Sequence, residues 1–592
     1  MRVPVRSRLR LLDRLGTRAW WQANSLTRPF RRGLWVDVVL VTGLCAALFG
    51  LLEFGREWTG VARPSIEIDL SPRALPTYTF FSMSRGLAAY LVSLLFTLVY
   101  GYWAAKDRRA ERVLVPLLDI LQSIPVLGFM PGLVLALVAL FPGSNVGLEL
   151  AAIIMIFTGQ AWNMTFSFYH SLRSVPQDIK ETSVVYRFDW WQRFKWVELP
   201  FGTTGLVWNS MMSMAGGWFF LMITEAFRLG DHDFRLPGLG SYMSVAVHEG
   251  DTRAMVLAVL AMMAMIVALD QFLWRPVVVW AQRFRVEETS AAEVSHSWFL
   301  DLVQRSKLLR RIAHLRRRRA QRRAAFAGKP AMNAAPRGSL PARRLALLPT
   351  AALLALAAGV AWGSIRLLRL LSQLPWSHWS ILGLAALATL GRVLISTAVG
   401  TAWTVPVGLG IGLSPRLSRA LQPVAQVMAS FPAPMLFPVA IAVFHASGIG
   451  LGVGSIVLML LGTQWYILFN VIAGASSVPS DLREAAVAFR MPRRDRFWTL
   501  YLPAVFPYLV TGWVTAAGGA WNASIVAEYV TYRGATLTTF GLGATVSRAA
   551  ERAQFIELAA AVLVMSLVVV AFNRLVWRRC YLLASTRFSL TR

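Results

Sequence analysis

The chain is short of charge. Only 15% of its 592 residues are Asp, Glu, Lys or Arg, where a soluble domain carries about a quarter. Acidic residues are the scarcer sign, 30 against 60 basic, which leaves a formal net charge of +30. Cysteine is nearly absent. Cys45 and Cys580 both fall in or beside apolar runs, which excludes a disulfide framework. Seven histidines are scattered along the chain and no Cys/His cluster has zinc spacing, which excludes a zinc-built core. The pattern G-x-x-x-x-G-K-[ST] occurs nowhere, so no P-loop cradles nucleotide phosphates. No pairing of carboxylates or nucleophile constellation supports an enzyme. The basic start, Met1 to Arg32, has no short apolar stretch with a small-residue cleavage site. We read residues 1–33 as a retained cytoplasmic extension.

Apolar sequence is abundant. Hydrophobic residues make up 56% of the chain and the mean hydropathy is +0.52. The uncharged runs exceed the roughly 20 residues that cross a bilayer, whereas barrel strands are about 10 residues long and alternate. The expected fold is an all-α polytopic membrane protein of about 12 transmembrane helices. Twelve apolar segments lie near 34–54, 78–105, 113–141, 147–172, 200–228 and 252–282, then 345–371, 380–412, 420–444, 449–475, 503–530 and 555–580. The positive-inside rule places both ends in the cytoplasm. The loops near Lys106–Arg112, Arg173–Lys195, Arg275–Arg344, Pro415–Arg419 and Arg483–Arg496 then lie inside, and the loops on the other face are poorer in Lys and Arg. The basic run Arg316–Arg319 with Arg322 and Arg323 could meet nucleic acid, but in a membrane protein such residues anchor topology and touch anionic lipid. We expect lipid contact and no nucleic-acid partner.

The sequence repeats itself. A shift of 303 positions brings Val175-Pro176 onto Val478-Pro479, Glu181 onto Glu484, Leu199-Pro200 onto Leu502-Pro503, and Glu225 onto Glu528. Gly238-Leu239-Gly240 falls on Gly541-Leu542-Gly543. Further upstream, a shift of 307 brings Pro116, Ser123, Pro125 and Pro131 onto Pro423, Ser430, Pro432 and Pro438. Residues 34–282 and 345–592 are therefore two copies of one six-helix unit. An even number of spans separates them, so the repeat is parallel. The join, 283–344, is a basic cytoplasmic linker. Within it Trp298, Phe299, Leu302, Leu309, Ile312 and Leu315 have the spacing of an amphipathic helix.

Each copy carries a polar segment between its fourth and fifth spans. Pro176 and Pro479 suit helix starts, and Asp178, Glu181, Asp481 and Glu484 fall in first turns, where acid favours the helix dipole. Glu484-Ala485-Ala486 with Leu502-Pro503 eighteen residues after the acid resembles the EAA signature of ABC importer permeases. Glu181-Thr182-Ser183 with Leu199-Pro200 follows it less closely. The family usually has glycine six residues after the acid; here those positions are Arg187 and Arg490, a departure that bears on the turn. Ala527-Glu528 before Gly541-Leu542-Gly543, and Thr224-Glu225 before Gly238-Leu239-Gly240, resemble the nitrate/sulfonate/taurine/bicarbonate branch. The resemblance covers roughly 85–285 and 385–585.

The resemblance implies that these segments are coupling helices docking onto two separate ATPase subunits or domains. ATP and Mg would be held there, with no cofactor in this chain. It also implies an extracytoplasmic substrate-binding protein and a bacterial inner membrane. Pathway candidates are Ser123 and Pro125 with Ser430 and Pro432, at prolines that break the third spans. Polar residues within spans add to them: Gln160, Asn163, Asn209, Trp218, Gln464, Trp521 and Asn522. Side chains of these types supply the N–H and O–H donors an anion needs. Glu225 and Glu528, near the outer ends, suit the outer loop or the seat of a binding protein. An ion-coupled secondary transporter with two parallel halves is the alternative, and it would want buried ionisable residues near mid-membrane.

Overall fold

The structure is a computed structural model, which describes residues 33–60, 67–230, 232–284, 297–311, 314–315, 318, 358–359, 361–532 and 534–588. The N-terminal extension up to Arg32 and most of the linker lie outside them, including Ile312, Arg316, Arg317, Arg322 and Arg323. The first copy runs through α1 (Gly33–Thr59), α2 (Leu75–Lys106), α3 (Arg108–Ser123), α4 (Met130–Leu140) and α5 (Val146–Arg173). It continues through α6 (Gln177–Val185), α7 (Leu199–Thr224), the hairpin β1 (Ala226–Leu229) and β2 (His232–Arg235), α8 (Leu239–Glu249) and α9 (Thr252–Leu269). In the linker lies α10 (Trp298–Arg305). The second copy repeats the order: α11 (Trp376–Leu413), α12 (Pro415–Ser430), α13 (Phe437–Ala446), α14 (Leu451–Ser476), α15 (Ser480–Ala488), α16 (Leu502–Ala527), β3 (Tyr529–Tyr532), β4 (Ala535–Thr538), α17 (Leu542–Glu551) and α18 (Phe555–Phe572).

Among the described residues nine helices are long and apolar enough to cross a membrane, or 11 if each of two bent pairs is one crossing. Of the expected twelve, 345–371 is described at 358–359 and 361–371, where it is helical. The bent pairs are the third spans expected at 113–141 and 420–444, broken at their prolines. Each is two helices at 85° to one another, too sharp for a curved continuous helix. The cause is local. A residue before proline is driven out of the helical region, and Ile124 and Phe431 are extended, with ψ 127° in both. The chain restarts as a short 3-10 turn and then as α4 or α13.

Two compact units partition the chain. The smaller holds the start of α1, to Phe49, and α10. The linker helix is interrupted within the expected amphipathic stretch, and helix resumes at Lys307. α10 ends at Arg305, where Ser306 turns extended; the Ser306 hydroxyl donates to Asp37 Oδ1 (2.5 Å) and accepts from the Leu309 N–H. The larger unit holds the second copy and the first from Gly50 on. In it α2 packs on α5 and α5 on α7, matched by α11 on α14 and α14 on α16. The seams bring glycines against the neighbouring helix: a Cβ would stand 2.7 Å from Val471 at Gly408, 2.6 Å from Ala475 at Gly412 and 3.1 Å from Ile467 at Gly512, and such small residues let membrane helices approach closely. Wide π turns at Phe194–Glu198 and Arg496–Tyr501 each precede a proline, Pro200 or Pro503, whose ring would clash with the carbonyl four residues back in a regular helix.

Candidate functional site

Short helices α6 and α15 hold the acidic segments. Asp178, Glu181, Asp481 and Glu484 are exposed near their N-termini, which Pro176 and Pro479 begin. Ala486 is buried and Ala485 partly so. Both helices end in the same way. Arg187 and Arg490 lie in the left-handed region, with φ 50° and 49°. The Arg187 N–H donates to the Val184 carbonyl and the Phe188 N–H to that of Ser183. In the second copy the Arg490 N–H donates to Val487 and the Met491 N–H to Ala486. This is the Schellman arrangement, in which glycine is the usual left-handed residue. The turn is thus retained although neither position holds glycine. Its strain is of the order of 1–2 kcal/mol per residue. Changing Arg187 and Arg490 to Gly should therefore raise the thermal unfolding midpoint, or leave it unchanged where backbone entropy offsets the gain; a drop would mean that the arginine side chains hold the turn. Around it stand uncovered apolar side chains, Phe489 at 83% and Val185 at 79% exposure, with Tyr186, Val184 and Val487 beside them.

Inside the bundle lies a cavity of about 190 Å³ lined by both copies. Its lining follows the repeat. Thr158, Gly159 and Trp162 of α5 face Gly462, Thr463 and Tyr466 of α14, and Gly216 and Phe219 of α7 face Gly519 and Asn522 of α16. Val126 and Ala433, each the first residue after a broken-span proline pair, complete the ring. Among the described residues no Asp, Glu, Lys or Arg lines it. The break at Pro125 frees the Val126 N–H, which donates to Asn522 Oδ1 at 2.8 Å across the two copies. Backbone freed at membrane depth must find such a partner.

The structure gathers Asn163, Pro432, Trp521 and Asn522 at this cavity. Other pathway candidates lie elsewhere. Gln160 is buried, accepts from the Ser93 hydroxyl and packs on Met214. Asn209 donates to Ser167 Oγ and the Gly205 carbonyl. Gln464 accepts from Trp403 Nε1. Trp218 and Ser430 line a separate small void of about 20 Å³, where the Ser430 hydroxyl donates to the Gln426 carbonyl. Pro125 sits at the break itself, and the Ser123 side chain lies outside the described residues. Tyr466 was not singled out in the sequence, because among the apolar residues of its span it reads as packing.

A profile described as "Binding-protein-dependent transport system inner membrane component" matches residues 97–273 and, a second time, 404–579. The chain belongs to this family. It is a multi-pass inner membrane component with two family units in one chain. It is 30% identical over 144 residues to a nitrate import permease of Leptolyngbya laminosa, covering 24% of this chain and 50% of that protein. Over 144 residues it is 28% identical to a bicarbonate transport system permease of Synechocystis, covering 24% and 50%. It is 27% identical over 176 residues to a taurine transport system permease of Escherichia coli, covering 30% and 58%. The chain spans about half the length of the curated relatives it matches.

In this inner membrane component the glycine pairs have a structural cause. Glu225, at the end of α7, is buried and accepts from Arg85 Nη1 (2.8 Å), Ser82 Oγ (2.7 Å) and the Gly240 N–H (2.7 Å). A Cβ on Gly238 would stand 2.4 Å from its carboxylate, so the loop can reach the acid only without one. Glu528 repeats this with Arg392 Nη1 (2.7 Å), Thr389 Oγ1 (2.9 Å) and the Ala544 N–H, and a Cβ on Gly541 would stand 2.2 Å from it. The first copy adds Glu149, bound by Arg85 through Nε (2.7 Å) and Nη2 (2.6 Å). Arg85, Glu149, Ser82, Thr389 and Arg392 escaped the sequence reading. The shift of 307 that aligns the prolines also lays Ser82-x-x-Arg85 on Thr389-x-x-Arg392, and that was the available signal.

Proposed function

We propose that this chain is the transmembrane permease subunit of an ATP-driven ABC importer of a bacterial inner membrane, forming the pathway for a small anion. The observation that carries the reading is the pair of acidic helices, each closed by a left-handed arginine and surrounded by uncovered apolar residues. An apolar patch on a water-facing segment calls for a protein partner. Two such segments call for two ATPase subunits or domains, which hold the ATP and Mg. Coupling is carried by Pro176, Asp178, Glu181 and Arg187 in one segment and by Pro479, Asp481, Glu484, Ala485, Ala486 and Arg490 in the other. Both termini and the basic linker are cytoplasmic, and an extracytoplasmic binding protein delivers substrate to the opposite face. The cavity between the copies is the pathway, and alternating access opens it to one side and then the other. Its lining supports an anion, because it offers amide and hydroxyl groups and no fixed negative charge. The names of two of the relatives, which carry nitrate and bicarbonate, point the same way. The buried ionisable groups do not favour an ion-coupled mechanism, because Arg85 and Arg392 already pair with Glu149, Glu225 and Glu528.

Copurification tests the partner: an ATPase should come down with the tagged chain, and its absence from an active preparation would remove the reading. The pathway is tested at Gly518, which lines the cavity and has open space where a Cβ would stand. With Cys45 and Cys580 replaced by Ser, Gly518→Cys should react with a small water-soluble thiol reagent, at a rate that changes when ATP locks the ATPases. Leu387→Cys, on an exposed apolar face of α11, should stay inert. Silence at Gly518→Cys in every nucleotide state, or modification that leaves transport intact, would place the pathway elsewhere.

A further inference from the structure

The two broken third spans come from the same sequence device, yet they are not held alike. Each break leaves the N–H that opens the following turn, of Val126 or Ala433, without a partner in its own helix. Both residues are buried and both line the cavity. A buried backbone donor normally finds an acceptor. The Val126 N–H finds Asn522 Oδ1 of the second copy, 2.8 Å away. A shift of 303 puts Phe219 where Asn522 stands, and a phenyl ring offers no such acceptor. Among the described residues the Ala433 N–H has none.

The packing differs in the same sense. After the first break, Gly128 lets the turn press on α18: a Cβ there would stand 2.6 Å from Val562 Cγ2. A shift of 307 puts Met435 at that place in the second copy, a long unbranched side chain that adapts to its surroundings. Beside the second break, Gln426 and Ser430 of α12 and Met214 and Trp218 of α7 line the void of about 20 Å³. The first break is bonded to the other copy and close against it. The second has an idle donor and free volume beside it. Displacing the first would strand a buried N–H, whereas displacing the second breaks no hydrogen bond at Ala433.

We infer that the second copy's break is the segment that moves when the cavity changes the side to which it opens, and that Asn522 is the positioning residue that keeps the first break fixed. This rests on the cavity being the transport pathway. Hydrogen–deuterium exchange of the full chain in nanodiscs reads both breaks without an ATPase. Corrected for intrinsic rates, the peptide holding Val126–Met130 should exchange about tenfold more slowly than that holding Ala433–Phe437. Asn522→Leu, of similar size but without an acceptor, should remove that difference. The exchanged pair Phe219→Asn/Asn522→Phe should invert the order of the two rates, which a general loss of packing would not do. In the complex reconstituted with its ATPases, Phe219→Asn alone should pin the second break as well. Turnover should fall severalfold with no drop in the thermal unfolding midpoint, and further than in Phe219→Leu, which supplies no acceptor. Equal exchange at the two breaks of the unaltered chain, an order that the exchanged pair leaves as it was, or equal turnover of the two Phe219 variants would overturn the proposal. Where an Asn522 variant fails to fold, the unaltered chain and the Phe219 variants decide. Failure of an ATPase to copurify would remove the permease reading and the role in transport with it, while the exchange rates still decide whether Asn522 holds the first break.

Discussion

Replacing Arg85 with Met should destabilise the protein by about 3–5 kcal/mol, the range for removing one partner of a buried ion pair. Arg85, Glu149 and Glu225 have fully buried side chains, so the substitution leaves two carboxylates facing each other with no cation. Each sits on a different helix, α5 or the end of α7, and the guanidinium is what joins them to α2. The loss should appear as a large drop in the thermal unfolding midpoint of the detergent-solubilised chain and in the yield of monodisperse protein. Arg392→Met should be milder. Arg392 is 14% exposed and faces one carboxylate, and Glu528 keeps Thr389 and the Ala544 N–H. The double variant Arg85→Met/Glu149→Leu should recover part of the loss, because one uncompensated charge goes with it. Equal effects of Arg85→Met and Arg392→Met would show that the second carboxylate of the first copy contributes nothing.

Replacing Glu484 with Lys should abolish substrate-stimulated ATP hydrolysis while the chain remains in the membrane at its normal level. The substitution reverses charge in the first turns of α15, where an acid matches the helix dipole, and it sits near the uncovered apolar residues Val487 and Phe489. Glu181→Lys should be weaker, since its segment departs further from the family pattern. The assay is ATP turnover of the reconstituted complex with and without binding protein. Full stimulation in the Glu181→Lys/Glu484→Lys variant would end the assignment of these helices to coupling.

Both predictions depend on different kinds of legibility. The acidic helices α6 and α15 could be read in the chain because their signal is local: an acid, two small residues and a Leu-Pro at fixed spacing, seen twice. One of their features was not legible. Arginine at 187 and 490 spoke against a left-handed turn, and the turn forms there all the same, because two hydrogen bonds back into each helix, from Arg187 and Phe188 and from Arg490 and Met491, hold it against the strain. The glycine pairs were legible as a motif but not as a mechanism. Gly238 and Gly541 are needed by carboxylates 13 residues before them in the sequence, and only the folded loop brings the two together.

Composition, hydropathy and self-comparison determined that this is an all-α membrane protein built twice from one unit, and where its two acidic segments lie. Those properties are sums over short windows or matches at a constant shift, and no tertiary contact enters them. The structure alone decided which polar residues meet. Arg85 finds Glu149 and Glu225 at 64 and 140 residues' separation, and Val126 finds Asn522 at 396. It also decided that a proline in each third span turns the chain by 85°, and that Asn522 and Tyr466 face the shared cavity while Gln160, Asn209 and Gln464 are spent on neighbouring helices. A polar residue in an apolar span has several faces it can serve, and only the packing of the helices around it selects one.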